Sequence, residues 1–514
     1  MNPEFIYSAF PEIFLAVAGM LLLLFGVFQG ERMPHVVSYI GFVILLIGAV
    51  LVMQLGNITL PAVNFLHIKA ECYGCDTFNH MFVRDAFARF SKLIILSGAA
   101  LSLALSWPYL EYENLEKPEY PVLVIFATVG MMLMVSATDM LSLYVGLELQ
   151  SLALYVLAAY RRDDAKSSEA GLKYFVLGAL SSGLILYGIS LIYGFAGTTN
   201  FQALAKLAFT HTVYEPGCKT ACLTNALMPV QAPYFGAIIG MVFICAALAF
   251  KISAAPFHMW TPDVYEGSPT PVTAFFAAAP KFAAFALLAR VLMIPFGGLM
   301  HQWVQIIVFI SVASMLIGAF GGLVQSNIKR LMAYSSIANV GYALAGLAVG
   351  GAEGIQAMLI YFAIYFLNVL GVFGVILCMR RNDEPAERID DLTGLAKTHP
   401  MLALCMVIFM FSLAGVPPLA GFFGKYFVFL AAVKAGLLPL ALIGVLTSVV
   451  AAAYYLRIIK LMYFDDPKAA IDPIERRSPR AVLTFAALVM VLFVLYPAPL
   501  IDSALVAAKS ITGG

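Results

Sequence analysis

Apolar residues run along this chain in stretches of about 20, the length an α-helix needs to cross a bilayer. The pattern predicts about fourteen spans, near residues 8–28, 35–56, 86–107, 121–139, 141–160, 170–196, 235–261, 268–294, 302–323, 329–350, 354–379, 400–432, 438–463 and 481–499. The first run, continuing through Gly19 to Phe28, reads as a span and not as a cleaved signal. Two runs are over-long and broken midway by small residues and proline, SAAP before Phe257 and AGVPP before Leu419. Interrupted spans in corresponding positions of two halves are the sequence mark of an inverted-repeat transporter, whose ion site lies at the breaks. The expected fold is therefore an all-α polytopic membrane protein with two inverted five-helix repeats, each containing a broken helix. Its parts are an N-terminal three-helix segment (1–120), a first repeat (121–294), a second repeat (302–463) and a C-terminal helix and tail (464–514).

Polar residues between the runs add orientation. Loops after odd-numbered spans hold Arg32, then Arg161, Arg162 and Lys166, then Lys329 and Arg330, then Arg380, Arg381, Arg388 and Lys397, then Lys468, Arg476, Arg477 and Arg480. Loops after even-numbered spans hold chiefly Lys69, Arg84, Lys206 and Lys219. Basic loops stay in the cytoplasm, so both termini are expected outside it.

Composition agrees with a membrane chain: 62% of the 514 residues are hydrophobic and 11% charged, against about half and a quarter in soluble domains. A net charge of +1 and the lack of a basic stripe give no footing for nucleic acid. The sequence has no dinucleotide or P-loop glycine motif, and its cysteines lack iron–sulfur or haem spacing. Cys245, Cys378 and Cys405 stand singly within spans. The expectation is that this chain binds no redox cofactor and no metal. Cys72, Cys75, Cys218 and Cys222 fall in the second and sixth loops, on the expected oxidising side, where one or two disulfides would persist. Their pairing stays open, and the C-x2-C and C-x3-C spacings also approximate a zinc clip.

Candidate chemistry lies inside the membrane. Lys251, Lys281 and Lys425 interrupt apolar spans, and Glu148 does so in the fifth. Each such charge costs roughly 3 kcal/mol or more on insertion scales, and usually marks a transport path or a specific partner. Desolvation lowers the affinity of a lysine for its proton and a nearby carboxylate raises it, so a Glu/Lys pair of variable separation switches between holding and releasing a proton. Breaks in the helices would free backbone groups that protein or water must satisfy, which predicts a hydrated path beside each lysine. Blander roles compete. A buried lysine serves also as a static partner of an acid, Lys173 as a snorkelling residue near a span end, and His258 as a structural histidine. Lys329 and Arg330 read as loop anchors, Asp139 as a helix cap, and Met131 to Met134 as packing.

FKISAAPFHMWTPDVYEGSPTPV, VQSNIKRLMAYSSIANVGY, LYVGLELQSLALYVLAAYRRDD and FSLAGVPPLAGFFGKYFVF resemble the antiporter-like membrane subunits of respiratory complex I, the proton-pumping NADH:quinone oxidoreductase. The likeness covers nearly the whole chain and is nearest the branch of bacterial subunit N and mitochondrial NADH dehydrogenase subunit 2. A short tail after the last span, and Lys425 where the middle subunit of the complex carries glutamate, favour that branch. The resemblance implies a proton relay of Glu148, Lys251, Lys281 and Lys425, with Lys173 and His258 as further members. It implies neighbouring membrane-arm subunits and the lipid bilayer as partners, and a bacterial inner or mitochondrial inner membrane as the location. FMN, iron–sulfur clusters, NADH and quinone are implied on other subunits. The family also takes in the large subunit of Mrp-type cation/proton antiporters, the alternative function. A third reading is a spacer that conducts nothing.

Overall fold

In the computed structural model, residues 8–29, 34–54, 76–207, 231–381, 384–467, 472 and 477–513 are described. Cys72, Cys75, Cys218 and Cys222, the disulfide candidates, lie outside the described residues. The elements in order are α1 (Phe10–Gln29), α2 (Pro34–Gln54), a hairpin of β1 (Asp76–Thr77) and β2 (Phe82–Val83), α3 (Ala86–Tyr112), α4 (Glu119–Val135), α5 (Met140–Ala158), α6 (Ala165–Ala196), α7 (Phe201–Leu207) and α8 (Gln231–Lys251). They continue with α9 (Thr261–Gly267), α10 (Thr270–Ala277), α11 (Ala279–Met293), α12 (Met300–Leu323), α13 (Ile328–Val349) and α14 (Gly351–Leu377). A second hairpin, β3 (Arg380–Arg381) and β4 (Glu384–Pro385), precedes α15 (Leu395–Thr398), α16 (Pro400–Ala414), α17 (Ala420–Lys434), α18 (Leu438–Tyr463), α19 (Arg477–Leu492) and α20 (Ala498–Thr512).

Ten helical segments among the described residues are long and apolar enough to cross a membrane. Four shorter apolar helices, Glu119–Val135, Gly236–Lys251, Pro400–Ala414 and Pro479–Leu492, fall on the remaining predicted runs. The chain is thus an all-helical membrane protein with, among the described residues, about ten long apolar helices plus shorter ones. As the sequence pattern expects, the 400–432 run divides into α16 and α17 at the Pro-Pro break. One departure is physical: the 268–294 run, with no break expected, divides at Ala278 (φ −103°, ψ −94°) into α10 and α11.

Helix starts follow local chemistry. Asp139 caps α5 by accepting from the Leu141 N–H at 2.8 Å, as expected, and Asn327 caps α13 through the N–H groups of Lys329 and Arg330. Burial separates an inner layer from a lipid-facing one. The apolar window of Thr270–Met293 is wholly buried, and those of α13 and α14 are 89% and 94% buried. Leu172, Leu180, Leu446 and Val449, on α6 and α18, are exposed on the opposite, apolar surface. At the α4–α5 crossing the backbones touch. A Cβ on Gly130 would meet the Gln150 N at 2.5 Å and the Gly146 O at 2.7 Å, the close approach that small residues permit between membrane helices. Gly130→Val is expected to force these helices apart, at a cost above the ~1–3 kcal/mol of ordinary overpacking. A wild-type level of folded subunit in membranes carrying Gly130→Val would contradict this.

Candidate functional site

The first break follows Lys251, where α8 ends and residues 252–260 leave the helix. Ser253 adopts a left-handed conformation (φ 65°), and the Ala255–Pro256 bond is cis. Backbone groups at the break are met by protein: the Trp260 indole donates to the Phe250 carbonyl (3.0 Å), and the Ala255 N–H to the Ser314 hydroxyl (2.8 Å). This satisfaction is what allows non-helical backbone at that depth. The buried Lys251 ammonium donates to Ser151 Oγ at 2.8 Å and to the Tyr155 hydroxyl at 3.3 Å. Glu148 lies on the same helix, α5, one turn before Ser151, and accepts from the Ser182 hydroxyl. It forms no direct ion pair with Lys251. Hydroxyls, not contact, separate the acid from the base.

At the second break the cation sits on a helix end. Gly415, with φ 86°, closes α16, and Pro417–Pro418 is cis. The Lys425 ammonium, in α17, donates to the Leu413 and Ala414 carbonyls (2.8 and 3.1 Å) and to Ser448 Oγ (2.6 Å). Carbonyls at a helix C-terminus carry partial negative charge, so α16 itself supplies the counter-dipole. Gly421 permits the fold-back, since its Cβ position is 1.8 Å from the Ser412 carbonyl oxygen and its N–H binds Ser412 Oγ at 3.0 Å.

Lys281 lies between these two, in the first turn of α11 just past the Ala278 interruption, and is 1% exposed. Burial that complete leaves no lipid or water to snorkel toward. Its ammonium donates to the Ser336 hydroxyl and lies 4.9 Å from the Tyr265 ring centroid. From there polar groups of α13 lead onward. Ser335 hydrogen-bonds the Tyr455 hydroxyl (2.6 Å), Asn339 donates to the Ser335 carbonyl (2.7 Å) and accepts from Tyr361, and the Lys425 ammonium stands 5.0 Å from the Tyr342 ring centroid. The buried hydroxyls of Tyr265, Tyr342 and Tyr365 have no hydrogen-bond partner, and a bridging water would find partners there.

The structure thus brings Lys281 and Lys425 to one hydroxyl-lined interval. Lys251 is set apart from Lys281 by aromatic rings: Tyr174 packs against Tyr155 (4.9 Å), stacks on Trp260 (4.5 Å) and touches Phe276 (5.5 Å). Lys173 is not in this row. Its side chain is 41% exposed and pairs with Glu169 (2.6 Å) and Asp263 (2.8 Å), in a cluster that Arg330 joins through Asp263 (2.7 Å) and Glu266 (3.1 Å). Burial alone would raise the Asp263 pKa, but hydrogen bonds from Lys173 and Arg330 hold its carboxyl below the ordinary value. His258 is half-buried within the first break, and its buried Nδ1 has no hydrogen-bond partner. Lys329 is more than a loop anchor, being buried between the Ser268 carbonyl (3.2 Å) and Glu387 (2.6 Å).

Sequence reasoning missed the polar face of α13. Its signal was present in YSSIANVGY, where Ser335, Asn339 and Tyr342 recur at helical spacing inside a span. Two buried ion pairs were also missed, Glu12–Lys92 at 2.6 Å and Asp85–Arg290 at 2.8 Å. Three of these four charges fall within predicted spans, and the same reasoning that singled out Lys281 applies to them.

The family model described as NADH:quinone oxidoreductase/Mrp antiporter, TM, matches residues 137–451. NADH-quinone oxidoreductase subunit N of Paramagnetospirillum magneticum is 54% identical, with 97% of this chain and 96% of that protein covered. A chain of respiratory complex I from Thermus thermophilus with bound aureothin superposes with a TM-score of 0.75 and 29% identity, covering 96% of this chain and 98% of its own. A chain of the Mrp complex from Dietzia sp. DQ12-45-1b gives a TM-score of 0.80 at 22% identity, covering 100% and 98%, which is a likeness of fold.

Proposed function

The chain belongs to the NADH:quinone oxidoreductase/Mrp antiporter transmembrane family, in its subunit N branch, and we propose that it translocates protons through Lys251, Lys281 and Lys425 in the membrane arm of complex I. One observation carries this reading: three ammonium groups are buried at successive helix interruptions and held by hydroxyls and carbonyls without a direct acid partner. A static buried ion pair needs the acid in contact. A lysine that exchanges its proton needs neutral acceptors able to hold it in both forms, and hydroxyls do this. Electron transfer belongs to other subunits, which would carry FMN, iron–sulfur clusters, NADH and quinone, so this chain is part of the enzyme without redox chemistry of its own. Glu148 is only half-buried on the flank of the bundle. A charge there calls for cover by protein rather than lipid, which fits a neighbouring membrane-arm subunit.

The architecture we infer is fourteen spans, with inverted repeats at 121–294 and 302–463. Equal spacings support it. The left-handed residue stands three before a proline in each break, Ser253 and Pro256, Gly415 and Pro418. Glu148 lies nine residues past its helix cap Asp139, and Ser336 nine past its cap Asn327. On this correspondence the second half holds Lys281 with a neutral hydroxyl where the first half has an acid. Mrp-type exchange of a metal cation would ask for a cage of oxygen ligands, and lysines occupy those places here.

Glu148→Ala is expected to lower quinone reductase activity and proton pumping of the assembled complex together, because the Glu148 charge acts on Lys251 across Ser151. Glu148→Asp keeps the charge and shortens its reach by one methylene, and should be milder. Pumping measured in vesicles at matched complex content decides. Equal wild-type rates for both variants would remove Glu148 from the relay.

A further inference from the structure

Between Lys281 and Lys425 the polar row passes through one side chain that differs in kind from its neighbours. Ser336, which accepts from Lys281, is followed on α13 by Asn339 and then by Tyr342, whose ring centroid lies 5.0 Å from the Lys425 ammonium. At about 1.5 Å per residue, Asn339 stands ~4.5 Å from each along the helix axis. It is 3% exposed. Its amide nitrogen donates to the Ser335 carbonyl at 2.7 Å, and more loosely to Ser335 Oγ at 3.4 Å and the Tyr455 hydroxyl at 3.5 Å. Its amide oxygen accepts from the Tyr361 hydroxyl at 2.5 Å. Ser335, next in the chain to Ser336, and Tyr455 hydrogen-bond each other at 2.6 Å. Tyr361 lies on the Lys425 side, since a Cβ on Gly424, the residue before Lys425, would stand 3.2 Å from its ring.

These contacts fix the orientation of the amide. A backbone carbonyl only accepts, so the end facing the Ser335 carbonyl is the N–H end, and the end facing Tyr361 is the oxygen. Hydroxyls and water pass a proton along because one atom both accepts and donates. A carboxamide divides these roles between two atoms, the nitrogen only giving and the oxygen only taking. The hydroxyls of Ser335 and Tyr455 therefore meet donor groups, while Tyr361 turns its own O–H into an acceptor. No proton-passing chain runs through Asn339 from one lysine to the other while its amide holds this place.

We propose that Asn339 is a positioning residue that insulates Lys281 from Lys425 and lets a proton cross only when its amide swings out of the row. The proposal rests on the relay reading above. With the amide displaced, a water in its place accepts from the serine side and donates toward the Tyr361 and Tyr342 side. An N–H bond breaks at the Lys281 ammonium and one forms at the Lys425 amine, so one proton leaves the first lysine and one arrives at the second. With the amide returned, the two lysines exchange nothing, and a proton already moved does not run back.

The test uses the assembled complex in membrane vesicles and reads protons translocated per NADH oxidised. Asn339→Ser puts a hydroxyl that both accepts and donates where the amide stands, and the ratio is expected to lose the protons that slip back through this subunit. Asn339→Gln keeps a carboxamide and should hold the ratio. A merely structural role would change the amount of complex or its turnover and leave the ratio alone. A wild-type ratio in assembled Asn339→Ser, or a ratio lowered equally by serine and glutamine, would overturn the proposal. Should serine prevent assembly, Tyr361→Phe decides, because it removes only the O–H that anchors the amide oxygen. A lowered ratio there supports the insulator, and a wild-type ratio overturns it whether turnover is kept or slowed. Lys281→Ala is measured alongside. Normal pumping there rejects the relay reading itself, whereas impaired Lys281→Ala with a wild-type ratio in Asn339→Ser rejects only the insulator.

Discussion

Alanine at Lys281 is expected to reduce proton pumping and coupled quinone reductase turnover of the assembled complex by about tenfold or more, short of the ~10²–10⁴-fold general acid–base range because water can bridge part of the gap. Lys281 is the most enclosed of the three lysines. Its ammonium is held by the Ser336 hydroxyl, and the Ser335, Asn339 and Tyr361 groups lead from it toward Lys425. If the two lysines act in series, alanine at both Lys281 and Lys425 should be little worse than the worse single variant, a departure from additivity that independent sites would not show. Lys281→Arg should restore little, because guanidinium keeps its proton. The measurement is protons translocated per NADH oxidised, at matched content of assembled complex. A complex with alanine at Lys251, Lys281 and Lys425 together that still pumps at the wild-type ratio would make these lysines structural.

The largest effect on stability is expected at Arg290. Its side chain is fully buried, pairs with Asp85 at 2.8 Å and faces the Phe87 ring. Arg290→Met leaves the Asp85 carboxylate buried without its cation, a loss of about 3–5 kcal/mol. The subunit should then accumulate poorly and melt at lower temperature within the complex. Adding Asp85→Asn should recover most of the loss. Asparagine removes the stranded charge and keeps the cap that Asp85 provides to the Ala88 N–H, now at 2.7 Å. Equal melting of the single and double variants would show that the pair contributes nothing of its own.

Much of the fold was legible along the chain because the bilayer imposes a local rule. A span must be apolar over about 20 residues, and a charge or proline inside one stands out whatever surrounds it. The sequence alone therefore determined where the helices run, the two breaks at SAAP and AGVPP, the helix cap at Asp139, and the candidacy of Lys251, Lys281, Lys425 and Glu148. Partners were not legible, because they come from residues far apart in the chain. Lys281 meets Ser336 across 55 positions, Lys251 meets Ser151 across 100, and Arg290 meets Asp85 across 205. Hydropathy is a property of one segment, whereas rotation of a helix about its axis is set by packing against its neighbours. Only the tertiary structure decided that Lys173 turns to the Asp263–Arg330 cluster and away from the lysine row. Packing likewise put hydroxyls between Glu148 and Lys251, and turned the Ser335–Tyr342 face of α13 toward the space between Lys281 and Lys425. Burying a polar group without a partner costs more than its hydrogen bond returns, so which polar faces turn inward is settled when the helices pack together.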